Sequence, residues 1–490
     1  MSAGFFQGIS EQALERALKY LNDYQYPHNA PLALSVDDTK LLPTYRPYYV
    51  GSTNKWYLLG NPGEPLEVPT SDPSIIENHI NSTRESLATK VRLWVLQIPL
   101  PRVPPLILAV MPLVSSTDTA TLANFEQKLL HILLGSEKSL CIVSLGSDGS
   151  ILEHDACQAL TRHGFAESLE YAIPHPDATQ CQPIRIPLMQ MYGQYIVATQ
   201  DPKHGRKTCW NNLFSGTRLL VLGNHITSYE EVQHMAGEKD TPFASFLEFC
   251  ITRHGKTNVA LPVYLFVFGE LIDAYKNRHI PHIDRIKMVL CMHFFKSIWK
   301  CFLQGAGYPE NRYFISSAAD DIIDILIHRL IGLIYIYCDH LERLFPLLPW
   351  MHGSEANEHV FGLLRLLVTD FTMLDVLRLI PKLNVRLMAA CRAKNVKVDF
   401  QHTAAGYSHT YFDADEIPLG ILSEFPSDHD IASAASTAFD KANTLWDLLG
   451  YYYSYTQGKP STLASLSPPL APVHEVEEDT DNAAYHESDR

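Results

Sequence analysis

Residues 31–38 read PLALSVDD, an apolar run that stops on two acids, Asp37 and Asp38. Residues 139–150, SLCIVSLGSDGS, repeat the plan: an apolar run enters a turn that carries Asp148. Short apolar runs bounded by turn residues read as strands buried on both faces. Carboxylates at the ends of such strands are held by the sheet and stay open to substrate. Phosphodiester chemistry with two metal ions needs carboxylates converging on ions about 3.5–4 Å apart. Magnesium also prefers a few carboxylates completed by water and phosphate oxygens.

Working outward, residues 10–22 repeat apolar residues at helical spacing behind an N-cap-like Ser10. Tyr45–Val50 and Lys55–Leu59 read as a hairpin, followed by a polar, Pro-rich stretch. VRLWVLQIPL (91–100) and LILAVMPLV (106–114) are strands joined around prolines, and residues 120–134 form an amphipathic helix. A helix over about 153–163 and a strand YIVATQ (195–200) lead into DPKHGRK (201–207). Three strands followed by helix, strand, helix and strand do not make a Rossmann unit, and GxGxxG is absent. The order predicts an α/β, RNase H-like core.

Residues 226–345 have helical periodicity and many aromatics, as in FLEFCITRH, PVYLFVFGELIDAY and VLCMHFFKSIWKCFL. They read as an α-helical insertion. A helix then opens at Ser354 and runs through FGLLRLL, and a further helix is interrupted at Pro381. The expected division is an N-terminal helix (1–30), core (31–225), insertion (226–345), core helices (346–400), a helical or irregular segment (401–455) and a disordered acidic tail (456–490).

Bulk properties narrow the function. The chain has 490 residues and 46% hydrophobic content, enough for a large core. Its nine cysteines are scattered and never spaced CxxC, which excludes a zinc ribbon and points to a reducing compartment. No secretory signal opens the sequence, and Ile322–Cys338, broken by Asp324, His328 and Arg329, reads as a buried helix and not a membrane span. An intracellular, nuclear protein is expected. The net charge of −15 rules out indiscriminate coating of DNA, although a local basic groove is compatible with it. Seven acids and one arginine lie in Glu475–Arg490.

Singly, each acid has a plain explanation. Asp37, Asp38 and Asp148 can accept turn hydrogen bonds, and Glu355 and Glu358 suit the first turn of a helix. Asp201 followed by Pro202 is also how a helix is capped. Their joint order carries more. LSVDDTK, IVSLGSDG, QDPKHGRKTCWNNL and NEHVFGLLR resemble, in sequence order, the landmarks of the P-element-like, THAP-associated DNA transposases and of a group of fungal transposon-derived proteins. The resemblance covers roughly residues 30–370. In that family one strand ends in Asp-Glu-Met and a later one in Asp-Gly. Asp-x-x-His-x-x-Lys-x-x-Arg-Asn follows, and a helix bearing Glu-x-x-Phe-(Ser/Gly)-x-x-Arg closes the set.

The resemblance implies a DDE transposase with catalytic, metal-holding acids Asp37, Asp148 and Glu358, Mg²⁺ or Mn²⁺ as cofactor, and DNA as partner. Asp201, His204, Lys207, Asn211 and Arg365 would contact substrate, and Phe361 and Gly362 match the last motif. A homo-oligomer and a guanine nucleotide in the insertion are implied too, the latter without any Walker A loop in this sequence. Three departures stand out. Asp38 replaces the family's Glu, so it could share the role of Asp37, with Glu355 as a further alternative acid. Trp210 stands where arginine is expected, and no zinc-finger pattern precedes residue 37. These departures leave open a scaffold that binds DNA or protein without cutting. His352, Glu355, Glu358 and His359 can also be drawn as a transition-metal set at near-helical spacing. The densest basic group, Lys203, Arg206 and Lys207, adjoins the expected site.

Overall fold

The computed structural model describes residues 7–51, 53–68, 70, 72–82, 87–163, 167–178, 181–214, 218–227, 259–392 and 417–452. Helix α1 (Gln12–Asp23) precedes β1 (Leu32–Lys40). Strands β2 (Arg46–Val50), β3 (Lys55–Leu59) and β4 (Leu66–Val68) form a separate antiparallel sheet, followed by α2 (Pro73–Ser82). β5 (Lys90–Gln97), β6 (Leu106–Leu113), α3 (Thr119–Leu134), β7 (Ile142–Ser147) and α4 (Ile151–His163) come next. β8 (Glu167–Ile173), β9 (Ile184–Met191), β10 (Gln194–Gln200) and α5 (Pro202–Phe214) complete the first half with the small hairpin β11 (Leu220–Leu222) and β12 (His225–Thr227). The second half holds α6 (Ala260–Lys276), α7 (His282–Ala306), α8 (Ser317–Tyr335), α9 (Glu355–Leu367), α10 (Met373–Arg392) and α11 (Asp428–Leu448).

The main sheet has the order β6-β5-β1-β7-β10-β9-β8. β6, β5 and β1 are antiparallel, while β7 and β10 run parallel to β1. This is the RNase H-like arrangement, extended on one edge by the antiparallel β9 and β8. Leu32, Leu34 and Val36 pack with α1 and α3, whereas Val91, Leu93 and Val95 of β5 pack with α9 and α10. Both faces are covered, which is why these strands are nearly continuous apolar runs.

The expectation that β1 ends on its acids is corrected. The strand runs on to Lys40, because β5 keeps pairing through Asp37↔Leu93 and Asp38↔Arg92. β7, in contrast, pairs with β1 only as far as Ser35↔Gly146. The acids therefore sit where the parallel neighbour departs. Pro381 does not interrupt its helix either: α10 is continuous, and Pro381 is exposed, so water can serve the carbonyl it frees.

Helices α6, α7 and α8 contribute to the largest core, which includes Trp299, Phe294 and Phe295. α8 lies on the sheet itself, with Gly332 against Leu188 and Val197 of β9 and β10. α11 joins the same core through Trp446, whose indole donates to the Phe295 carbonyl at 3.1 Å. No helix among the described residues is long and apolar enough to cross a membrane. FLEFCITRH and the acidic tail lie outside the described residues.

Candidate metal centre

Strand register assembles the centre. Ser35 is level with Gly146 in the last pair of the β1–β7 ladder, and two residues further on Asp37 is close enough to feel the charge of Asp148. Gln200 is level with Ser147, and the Asp201 amide continues the ladder by donating to the Ser147 carbonyl at 3.1 Å. Asp148 and Asp201 thus stand just past the carboxyl ends of β7 and β10, and Asp37 lies on β1 beyond its last pairing with β7. In open α/β sheets this edge is where ligands bind.

Helix α9 crosses that edge. Side chains alternate along a strand, so Ser35, Asp37 and Thr39 share one face. Ser35 donates to Asn357 Oδ1 at 2.6 Å, and Asn357 Nδ2 donates to the Leu93 carbonyl at 2.9 Å. Arg365 donates to Thr39 Oγ1 at 2.8 Å. Asn357 to Arg365 spans ~12 Å of helix, and Ser35 to Thr39 ~13 Å of strand, so the two elements lie in step. Asp37 is bracketed by those two attachments, and Glu358 is brought to it.

The electrostatics agree. Burial, followed by the charges of Asp148, Asp38 and Glu358, pushes the Asp37 carboxyl well above the usual range. Asp37 still keeps part of its surface open to solvent. Asp148 accepts from the Ser150 amide at 2.9 Å in the turn before α4. That turn needs Gly149, which has φ +78° and would meet the Gln200 side chain at 1.8 Å if it carried a Cβ.

Asp38 faces the other way. It accepts from the fully buried Arg92 at 2.9 Å, and the same guanidinium binds Glu153 at 2.6 and 2.7 Å and Glu126 at 2.7 Å. Its carboxylate is thereby engaged behind the sheet. The interchange of Asp37 and Asp38 allowed by the sequence is not what the fold presents.

Asp201 caps α5, accepting from the Lys203 amide at 2.7 Å, and is buried. It does more than cap. Ligand-type atoms of Asp201, His204 and Glu358 all lie within 4.8 Å of one another. His204 Nδ1 is sealed from solvent with no hydrogen-bond partner among the described residues. Burial and the charges of Glu358 and Glu355 raise the Asp201 carboxyl, against Lys276 and His204. Sequence reasoning assigned Asp201 and His204 to substrate. Their spacing of three, one helical turn, was the available sign that both side chains share a side.

Glu355 is the anchor of the lysines. It binds Lys203 at 2.7 Å and also Lys276 at the end of α6. Burial works to raise its carboxyl, but His359 and the two lysines hold it well below the usual range. Lys203 also reaches Glu358 at 3.4 Å, so it turns inward and leaves Arg206 and Lys207 as the exposed cations of α5.

The alternative set His352, Glu355, Glu358 and His359 does not assemble as one site. His352 is buried, with Nδ1 2.8 Å from Ser144 Oγ and Nε2 3.3 Å from the Tyr337 hydroxyl. Its carbonyl accepts from Thr199, and a Cβ on Gly146 would meet that carbonyl at 2.8 Å. The residue clamps the start of α9 over β7 and β10. Burial drops its ring to about 3, so it stays neutral there.

Other motif positions are dispersed. Asn211 is exposed, while its neighbour Asn212 is buried and accepts from the Ser316 amide at 2.7 Å. Phe361 lies in the core, and Gly362 is exposed. Trp210 lines an apolar cleft between α5 and α6 with Arg206, Tyr264 and Phe268.

No protein-family model matches the sequence, and no curated protein does. Among solved structures, the Drosophila P element transposase strand transfer complex aligns over 80% of this chain and 83% of that chain, at 13% identity and a TM-score of 0.46. Likeness at that level transfers no residue role.

Proposed function

We propose that this chain is the catalytic core of a cut-and-paste DNA transposase, acting on nuclear DNA by metal-dependent phosphodiester cleavage and strand transfer. The observation that carries this reading is the convergence of Asp201, His204 and Glu358 within 4.8 Å, with Asp37 close enough to feel the charges of both Asp148 and Glu358. The donors suit divalent ions: carboxylate oxygens on a rigid frame, and a buried imidazole nitrogen without a partner. Asp37 and Asp148 would hold one ion, with Glu358 completing the shell of a second. Bound metal supplies Lewis-acid stabilisation and lowers the pKa of an attacking water or 3′-hydroxyl.

The chain's own residues do the remaining work. The β1 and β7 backbones fix two acids, while Ser35, Asn357 and Arg365 fix the third from across the edge. Lys203 and Lys276 both bind Glu355, and two ammonium groups against five carboxylates leave three negative charges to draw cations. Arg206 and Lys207 project from the same helix and give a DNA backbone a basic approach.

One observation favours a second reading, a DNA- or protein-binding scaffold that no longer cuts. Lys203 already stands 3.4 Å from Glu358. Plasmid nicking by purified protein in Mg²⁺ or Mn²⁺, run beside Asp148→Asn, separates the two. Metal-dependent nicking lost in the variant is expected of the transposase. Absence of nicking under every metal condition points to the scaffold.

A further inference from the structure

We propose that His204 is itself a metal ligand, so that the centre is unsymmetrical. One half is all oxygen, from Asp37 and Asp148. The other combines Asp201, Glu358 and an imidazole nitrogen, and takes a first-row transition ion in preference to Mg²⁺. The inference rests on reading this cleft as a metal centre, and does not depend on DNA being cut.

Three observations carry it. The ligand-type atoms of Asp201, His204 and Glu358 lie within 4.8 Å of one another, close enough to share one ion. His204 Nδ1 is enclosed and has no hydrogen-bond partner among the described residues, a rare state for a ring nitrogen and one that a metal or proton donor would resolve. The frame is also rigid. Asp201 continues the β7–β10 ladder, His204 follows one turn into α5, and α9 is tied to β1 on either side of Asp37.

The cations nearby lean first on Glu355, although Lys203 also reaches Glu358 and the charge of Lys276 acts on Asp201. Lys203 lies 2.7 Å from Glu355 but 3.4 Å from Glu358, so Glu355 is its main partner, and Lys276 binds Glu355 as well. Five carboxylates (Asp37, Asp148, Asp201, Glu355 and Glu358) against two ammonium groups leave an excess of three negative charges when all are ionised. Ligand chemistry then sets the choice of ion. Imidazole favours zinc and its neighbours, whereas magnesium favours oxygen alone. A charge excess attracts either ion; only the nitrogen discriminates between them.

The test uses the full chain stripped of metal, with Mn²⁺ alone as the spectroscopic probe and Zn²⁺ and Mg²⁺ as calorimetric ones. Pulsed electron paramagnetic resonance should detect ¹⁴N coupling on bound Mn²⁺ in the wild type. His204→Gln should bind Mn²⁺ without that coupling and lose about tenfold or more in Zn²⁺ affinity, with Mg²⁺ affinity within about twofold. His204→Asp, an all-oxygen variant, should lose the nitrogen signal and gain Mg²⁺ affinity relative to Zn²⁺. Metal-free melting of each variant checks the fold. Undiminished ¹⁴N coupling in His204→Gln, or equal losses for Zn²⁺ and Mg²⁺, overturns the assignment. Nitrogen-coordinated Mn²⁺ in a protein that never nicks DNA leaves this inference standing and removes the nuclease reading. Nicking with no nitrogen signal does the reverse.

Discussion

Glu126→Gln should make the protein more stable at pH 8 and leave it nearly unchanged at pH 5. Glu126 lies behind β1, almost wholly buried, with its carboxylate 2.7 Å from Arg92. Arg92 must also serve Glu153 and Asp38, so one cation faces three acids. Burial wins over the shared ion pair and pushes Glu126 from 4.5 up to about 7. A carboxyl raised in the folded state contributes stability that is complete below pH 4.5 and lost as the pH climbs through about 7. That difference is worth about 3 kcal/mol, from about 1.4 kcal/mol per pH unit. Glutamine keeps the shape and removes the charge. Its advantage over the wild type should therefore grow by roughly 2–3 kcal/mol between pH 5 and pH 8, or several degrees in melting temperature. Melting both proteins at pH 5, 6, 7 and 8 reads this directly. A gap that stays constant, or turns against the variant as pH rises, would show that Arg92 holds Glu126 ionised and that the reasoning from burial is wrong.

Further outcomes follow from the same geometry. Asn357→Ala removes one donor and one acceptor that are both buried, leaving Ser35 and the Leu93 carbonyl without partners; a loss of about 2–3 kcal/mol is expected in chemical unfolding, with nicking down by tenfold or more as α9 shifts. Gly149→Ala forces a Cβ into Gln200 at a positive φ, and should cost about 1–3 kcal/mol together with most of the nicking activity. Wild-type stability in both assays would contradict the placement of these residues.

Much of this site could be read in the sequence because sheet chemistry is written locally. β1 and β7 had to be apolar on both faces, so an acid at either end was conspicuous, and α9 declared itself by spacing and acidic first turn. The choice between Asp37 and Asp38 was different. Alternation says only that they point oppositely; which face receives α9 depends on contacts across more than 300 residues, such as Ser35 to Asn357. Helical phase likewise decides that Asn212 is buried and Asn211 exposed. β9 was missed because the alternating IRIPLMQM holds Pro187, a residue that argues against a strand interior, and β8, which pairs with it, was missed too. His352 looked like a metal ligand, and nothing nearby in sequence announces that Ser144 and Tyr337 hold both its nitrogens.

The central claim is that acids from three strands and one helix share one metal centre. It can be tested by loading the protein with Fe²⁺ and triggering hydroxyl-radical cleavage of the polypeptide with ascorbate and peroxide. Mass spectrometry should then find cuts clustered near residues 37, 148, 201 and 358, all suppressed together by excess Mn²⁺. Cuts confined to one of those segments, or scattered through the acidic stretch 475–490 and indifferent to Mn²⁺, would contradict a shared centre.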